Sequence, residues 1–364
     1  MISQSQNSES RSSFKLQWRR YLLSLLSLGL VWSAQSCLGG SRVLAFGSGL
    51  GATNVPPQAT NAITLAPGTY QDAIVRADGA GVRWGPETLV LRTNLLAIAL
   101  GYYDSYWRLD PDGRVFVGTW GTTGSYSGAS NVVAITTYPY TVLHEDGTVA
   151  VGGTNNPAFS NIVAVASTGG GAKPILLALR SDGTVATWND SLPIPADLSD
   201  VVAVATGFIR MALRRNGTVT VWGNAAATNV FSVLSNVVAI SCGDQALALK
   251  QDGTVFCWGG RAETQVPPTL SNVVAIAAGP DSMVIVDPSP PPLAIVGAGV
   301  TNGFFQVTVP TISGRVYCLE YATSLPATNW TPLPLVAGNG RMRVLVDPTP
   351  VVATAQRFYR VRKW

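Results

Sequence analysis

Asn236-Val-Val-Ala-Ile240 is followed by Gly243-Asp-Gln245, Ala246-Leu-Ala-Leu-Lys250, Asp252-Gly253 and Thr254-Val-Phe-Cys-Trp258-Gly259. This stretch decides the fold. Its segments alternate or run apolar over four to six residues, as half-buried strands do. Asp-Gly between two such segments is a strong short-range hairpin signal, and its tolerance of positive φ predicts a type I′ turn. Three strands are therefore expected between Asn236 and Gly259. A weaker outer segment, Thr264-Gln-Val-Pro-Pro268, suits an edge strand, where a missing N–H is harmless and discourages aggregation.

The same unit recurs along the chain. Its opening phrase appears at Asn61, Asn94, Asn131, Asn161, Asp200, Asn236 and Asn272, separated by 33, 37, 30, 39, 36 and 36 residues. The turn phrase stands at Asp78-Gly79, Asp112-Gly113, Asp146-Gly147, Asp182-Gly183, Asn216-Gly217 and Asp252-Gly253. Four short strands in about 36 residues describe a propeller blade. The seventh unit lacks its Asp-Gly-Thr-Val-Trp-Gly part, and Arg42-Val-Leu-Ala-Phe46-Gly47 supplies it from the front. That segment is expected to pair into the last blade and close the ring.

Asn-Val-Val-Ala-Ile, then Asp-Gly-Thr-Val, then Trp-Gly resembles the RCC1 repeat family over about two thirds of the chain. The resemblance implies an all-β fold, a seven-bladed β-propeller over residues 37–286. The exchange factor that names the family acts on a nuclear GTPase through a blade insertion and specific loop residues. The present units carry no comparable insertion, and the stretches Gly101–Ser105, Gly243–Gln245 and Gly279–Ser282 lack the His that many family repeats place there. Exchange activity is not expected.

Before the repeats, Arg11, Lys15, Arg19 and Arg20 precede an apolar run from Tyr21 to Trp32, and Ala34-Gln35-Ser36 supplies small residues at a cleavage site. Residues 1–36 thus read as a secretory signal, and export to the periplasm, cell surface or medium follows. Cys37 stands where a lipid anchor could attach, but Ala34-Gln35 departs from a lipobox and cleavage without lipidation is expected. No other apolar run is long enough for a transmembrane span. Removing the signal takes away four basic residues and one Glu, leaving 20 basic and 19 acidic residues. A mature net charge near +1 carries no concentrated basic face, which argues against a nucleic-acid partner.

Asp287-Pro-Ser-Pro-Pro-Pro292 reads as a stiff linker. Strand-like runs at 293–300, 303–310, 315–323, 341–347 and 356–362 then predict a small β-sandwich-like module over 293–364. Its Tyr317–Tyr321, Asn329-Trp330 and Gln356–Arg360 phrases resemble a C-terminal β module of exported bacterial proteins. Arg357, Arg360, Arg362 and Lys363 read as a solvated terminal strand.

Little points to catalysis, cofactors or metal. The single histidine, His144, occupies the strand-end slot filled elsewhere by Arg76, Asp110, Arg180, Arg214 and Lys250. Neither a Ser/His/Asp triad nor a histidine-rich metal site has its parts. Glu87, Asp104, Asp244 and Asp281 lie in loops that could converge on one face, but no pair stands out as the two carboxyls a glycosidase needs. Cys242, Cys257 and Cys318 are expected free, because a strand separates the first two.

Recognition remains. The loops joining first and second strands emerge on one face and carry Tyr70, Tyr102, Tyr103, Tyr138, Tyr140 and Phe208. Aromatic side chains on rigidly held loops give large contact area at low entropic cost. The competing reading is that several of these rings fold inward over the core. A secreted β-lactamase-inhibiting propeller of similar architecture binds its enzyme through one loop face. The expected function is a non-catalytic binding or scaffold propeller for a protein or surface glycan. A propeller polysaccharide lyase or glycosidase and a purely structural envelope protein are the alternatives.

Overall fold

In the computed structural model, the residue that opens each repeat has a left-handed backbone. Asn61, Asn94, Asn131, Asn161, Asp200, Asn236 and Asn272 have φ between 54° and 75°. Asn and Asp adopt this region far more readily than other side chains. The structure describes residues 41–47, 54–91, 94–101, 105–119, 122–125, 129–136, 140–152, 154–155, 159–167, 174–223, 234–259, 266–267, 270–288, 290, 292–351 and 356–364. All belong to one unit, Leu38–Trp364.

The described residues form strands and no helix. Seven antiparallel sheets arise from residues 42–286. The first contains Ala62–Ala66, Asp72–Arg76, Gly81–Trp84 and Leu89–Val90. The second contains Ala97–Leu100, Tyr106–Leu109, Val115–Thr119 and Thr122–Ser125. The third contains Val132–Thr136, Thr141–His144, Val149–Val151 and Thr154–Asn155. Three-stranded sheets follow: Ile162–Ser167, Leu176–Arg180 and Val185–Trp188; Val201–Thr206, Arg210–Arg214 and Val219–Trp222; Val237–Cys242, Ala246–Lys250 and Val255–Trp258. The seventh joins Val273–Ala278 and Asp281–Val286 to the early strand Arg42–Gly47.

That last pairing runs from Arg42 opposite Val286 to Gly47 opposite Asp281, as the missing repeat portion implied. Val43 and Phe46 are buried in it. The first strand of each sheet packs on the first two strands of the sheet before, and Ala62–Ala66 packs in the same way on the seventh. The series is closed. Sheets stacked face to face bury the middle strand on both sides, so Ile74, Leu177, Leu179, Met211, Leu213 and Leu247 have no accessible surface.

Hydrogen bonds also cross between sheets. The glycine carbonyl of each turn accepts the N–H that follows the left-handed residue of the next sheet. The pairs are Leu95–Gly79, Val132–Gly113, Ile162–Gly147, Val201–Gly183, Val237–Gly217 and Val273–Gly253, at 2.8–3.1 Å. Between the seventh sheet and the first, an isolated bridge joins Arg42 to Thr60 instead. The left-handed residue is thus part of the joint between neighbouring sheets.

The turns differ from the expected type I′. Only the glycine has positive φ, 76–84° across the six turns, and the preceding Asp or Asn does not. Gly79 N–H donates to Arg76 C=O and Arg76 N–H to Ala80 C=O, which is a type I turn closed by a left-handed glycine. The turn side chain caps the bend: Asp146 Oδ1 accepts from Thr148 N at 2.9 Å, and Asp182, Asn216 and Asp252 do likewise. Asp and Asn are selected here as acceptors rather than for their own φ.

The C-terminal residues form two small sheets. One joins Gly297–Thr301, Phe304–Pro310 and Met342–Pro350; the other joins Val316–Ala322 to Thr331–Pro332, Val336–Ala337 and Phe358–Lys363. Alternation along Val316–Ala322 divides its side chains between two cores. Tyr317 and Leu319 pack with Val307, Val309 and Leu345 inside the module. Val316 and Cys318, with Leu335 and Trp364, belong to a cluster that contains Val201, Leu213 and Val219 of the fifth sheet.

Candidate recognition surfaces

Antiparallel hairpins place the loops between first and second strands at one end of the sheets and the Asp-Gly turns at the other. The module sits on the turn end. Leu335 N–H donates to Ser181 C=O at 2.9 Å, and Ser313 Oγ donates to Val133 C=O. Val133 is the bulged residue of its strand, so its carbonyl lies outside the ladder. Asn339 Nδ2 and Arg343 reach Glu145 beside the third turn. Arg215, beside the fifth turn, meets Glu320 at 3.3 Å.

At the opposite end the aromatic residues differ in exposure. Tyr70 is 41% exposed. Tyr140 is half-buried and stacks on Trp107 with centroids 4.8 Å apart and planes 7° from parallel. Phe208 packs against the core of the fifth and sixth sheets, and its N–H donates to Gly243 C=O at 3.1 Å. Its ring lies against Gly259, where an added Cβ would come within 2.0 Å of Phe208 Cζ. Tyr102, Tyr103 and Tyr138 lie outside the described residues.

A buried polar cluster, not anticipated from sequence, lies where the sixth, seventh and first sheets meet. Gln71, Asp72, Gln245, Asp281 and Ser282 are all at most 3% exposed. Each stands at or just before the start of a second strand. Gln245 Nε2 donates to Ser282 Oγ, and Gln245 Oε1 accepts from Cys257 Sγ at 3.3 Å. Asp72 Oδ1 accepts from Gly68 N at 3.2 Å, whereas Asp72 Oδ2 and Gln71 Nε2 have no hydrogen-bond partner among the described residues. Burial pushes the Asp72 carboxyl up to about 7, and the nearby Asp281 charge adds to this. The sequence signal was faint: the positions of Gln71-Asp72 and Asp281-Ser282 vary among the repeats, from Ile175-Leu176 to Ile209-Arg210 and Gln245-Ala246. Glu87 and Asp244 are exposed, and Asp104 lies outside the described residues.

His144 Nδ1 lies 2.9 Å from Ser130 C=O, a local contact at a strand end. Among the described residues no group of three or more His, Cys, Asp or Glu could hold a metal, and no helix is long and apolar enough to cross a membrane. Cys242, Cys257 and Cys318 are free thiols. Burial pushes Cys242 up to about 12 and Cys257 up to about 11.

The C-terminal arginines are engaged rather than simply solvated. Glu320, with a side chain 1% exposed, receives Arg215 on one oxygen and Arg360 at 2.7 Å on the other. Arg357 bonds the buried Asp347, which also accepts from Tyr359 Oη at 2.9 Å. Arg357 and Arg360 thus pair with carboxylates of the module itself, and Arg215 joins Glu320 across the ring–module junction.

These features define an all-β protein of the β-propeller class. Its fold is similar to RCC1: the yeast protein (Prp20), solved bound to Kap60, superposes with a TM-score of 0.53 at 13% identity, covering 67% of this chain and 88% of that one. The computationally designed Ika8 gives 0.40 at 17% identity, over 84% and 99% of the two chains. PorZ, a surface component of the Porphyromonas gingivalis type-IX secretion system, gives 0.41 at 12%, over 84% and 46%. No protein-family model and no curated protein matches the chain.

Proposed function

We propose that this chain is an exported, non-catalytic recognition or scaffold protein, a seven-bladed propeller that presents its first-to-second-strand loops to a protein or a surface glycan. The observation that carries this reading is the placement of the C-terminal module. Every described hydrogen bond between module and ring goes to the turn end, so the loop end is the face left for a partner. Tyr70 supplies an exposed aromatic contact there, and Tyr102, Tyr103 and Tyr138 belong to neighbouring loops. The inward packing of Phe208 and the stack of Tyr140 on Trp107 give them a supporting role beneath that face. The enzymatic alternative would draw on Glu87, Asp104 or Asp281, of which Asp281 is buried beside Asp72 and Glu87 is exposed.

Immobilised protein exposed to cell-envelope proteins and cell-wall polysaccharides tests the proposal. Retention of a partner by the wild type, and its loss from a folded Tyr70→Ala/Tyr102→Ala/Tyr103→Ala variant, is the expected result. Equal retention by the variant would sink the loop-face assignment.

A further inference from the structure

Where the fifth sheet meets the module, a cleft of about 420 Å³ opens at the turn end. This size lies in the lower part of the usual range for ligand sites, which often form at junctions between structural units. Its lining includes four arginines (Arg214, Arg215, Arg360 and Arg362) against two carboxylates, Asp200 and Glu320. Glu320 is already shared by Arg215 and Arg360, and Arg214 turns to Asp197 at 3.0 Å. Arg362 has no carboxylate partner among the described residues. It donates to Arg215 C=O at 3.4 Å and lies 4.7 Å from the Trp364 ring. Burial first, with the like charges of Arg360 and Arg215, depresses its pKa against the opposing pull of the nearby Glu320 carboxylate.

The cleft therefore holds surplus cationic charge on side chains partly removed from water, an arrangement that an incoming anion relieves. Guanidinium groups match the planar oxygen pairs of carboxylates and sulfates. Beside them Trp330 forms an apolar wall, with the Arg360 guanidinium 4.4 Å from its ring. Thr328 and Asn329, both exposed at the rim, offer neutral hydroxyl and amide groups. Mixed arginine, aromatic and amide chemistry in a bounded cleft suits an anionic sugar better than an extended acidic peptide.

We propose that this cleft binds the carboxylate or sulfate of an acidic sugar unit in a short oligosaccharide. Arg362 and Arg360 receive the oxyanion, and Trp330 backs the sugar ring. The site lies at the end opposite the loop face and does not depend on the function proposed for that face.

Calorimetric titration of the purified protein with a galacturonic acid trimer, a chondroitin sulfate tetrasaccharide, neutral cellotriose and hexaglutamate tests it. Binding of the trimer identifies a carboxylated sugar, and binding of the tetrasaccharide a sulfated one; either supports the proposal, with cellotriose silent. Affinity should fall as NaCl rises from about 50 to about 300 mM, as charge screening requires. Arg362→Gln leaves the Glu320 pairs in place and should weaken binding by about tenfold or more, the loss of one charge-assisted contact. Asn329→Asp changes only an exposed rim residue and should also weaken binding, which keeps the test decisive if Arg362→Gln fails to fold. Neither acidic sugar binding more tightly than cellotriose would overturn the proposal. So would hexaglutamate binding more tightly than both sugars, or wild-type affinity in Asn329→Asp together with any folded Arg362→Gln.

Discussion

Asn236→Ala isolates the left-handed joint between sheets. Asn236 has φ of 58° and is exposed, so its replacement removes little packing. The residue after it, Val237, donates to Gly217 C=O at 3.0 Å, which ties the sixth sheet to the fifth. An alanine held in this region costs about 1–2 kcal/mol, whereas glycine adopts it freely. Asn236→Gly should therefore stay within roughly 0.5 kcal/mol of wild type, after allowing for its greater unfolded-state entropy. At about 2–4 °C per kcal/mol for a large domain, the alanine variant should melt roughly 2–8 °C lower. Calorimetry on wild type and both variants makes the comparison. If glycine destabilises as much as alanine, the Asn side chain supplies the stability and the conformational argument fails. If alanine is neutral, the left-handed joint carries no strain worth naming.

Other outcomes follow from the same structure. Phe46→Ala in the early strand should cost about 3–5 kcal/mol, the usual loss for a buried ring, and speed hydrogen exchange in Asp281–Val286; unchanged exchange would show that the strand does not hold the seventh sheet. Asp72 has a folded pKa raised to about 7 from an unfolded value near 3.8, so the folded state binds the extra proton and stability falls as pH rises between these values. Asp72→Asn should flatten that slope and gain up to about 4 kcal/mol at pH above it; urea melts across the range that show the same slope in both proteins would refute the assignment. Glu320→Ala strands Arg215 at the ring–module junction and should cost about 3–5 kcal/mol, with faster proteolysis of the module; equal resistance would mean the ion pairs do not secure it. Cys242 and Cys257, with thiols pushed far above neutrality, should resist alkylation at about pH 8 in the folded state. Rapid labelling found by peptide mapping would contradict the raised thiol pKa of these half-buried cysteines.

What the sequence made legible was the repeat and its closure. Seven copies of one phrase, with the seventh missing the portion found at Arg42–Gly47, left the early strand one natural place to pair. The turn type was misassigned because Asp-Gly serves both I′ and type I-plus-glycine hairpins; the φ of the Asp and the backbone bonds of the turn separate them. The Asn or Asp that opens each repeat was visible, but its role was not, since it depends on a carbonyl about 14 to 19 residues earlier in the neighbouring sheet. Similarly, the inward packing of Phe208 turns on Gly259, a contact between adjacent sheets that local pattern does not encode. Glu320 offered the best overlooked clue, as a lone carboxylate within Val316–Ala322, whose other side chains are mostly buried. A charge in such a strand demands a partner, and Arg360 lies directly opposite it in the ladder.

Hydrogen–deuterium exchange on the protein with and without a captured partner tests the central claim most directly. Recognition by the loop end predicts slower exchange on binding in the loops around Tyr70, Tyr102–Tyr103 and Tyr138, with little change at Asp146-Gly147, Asp182-Gly183 and Asn216-Gly217. Protection confined to those turns and the C-terminal module would contradict it, and would place the working face at the opposite end of the sheets.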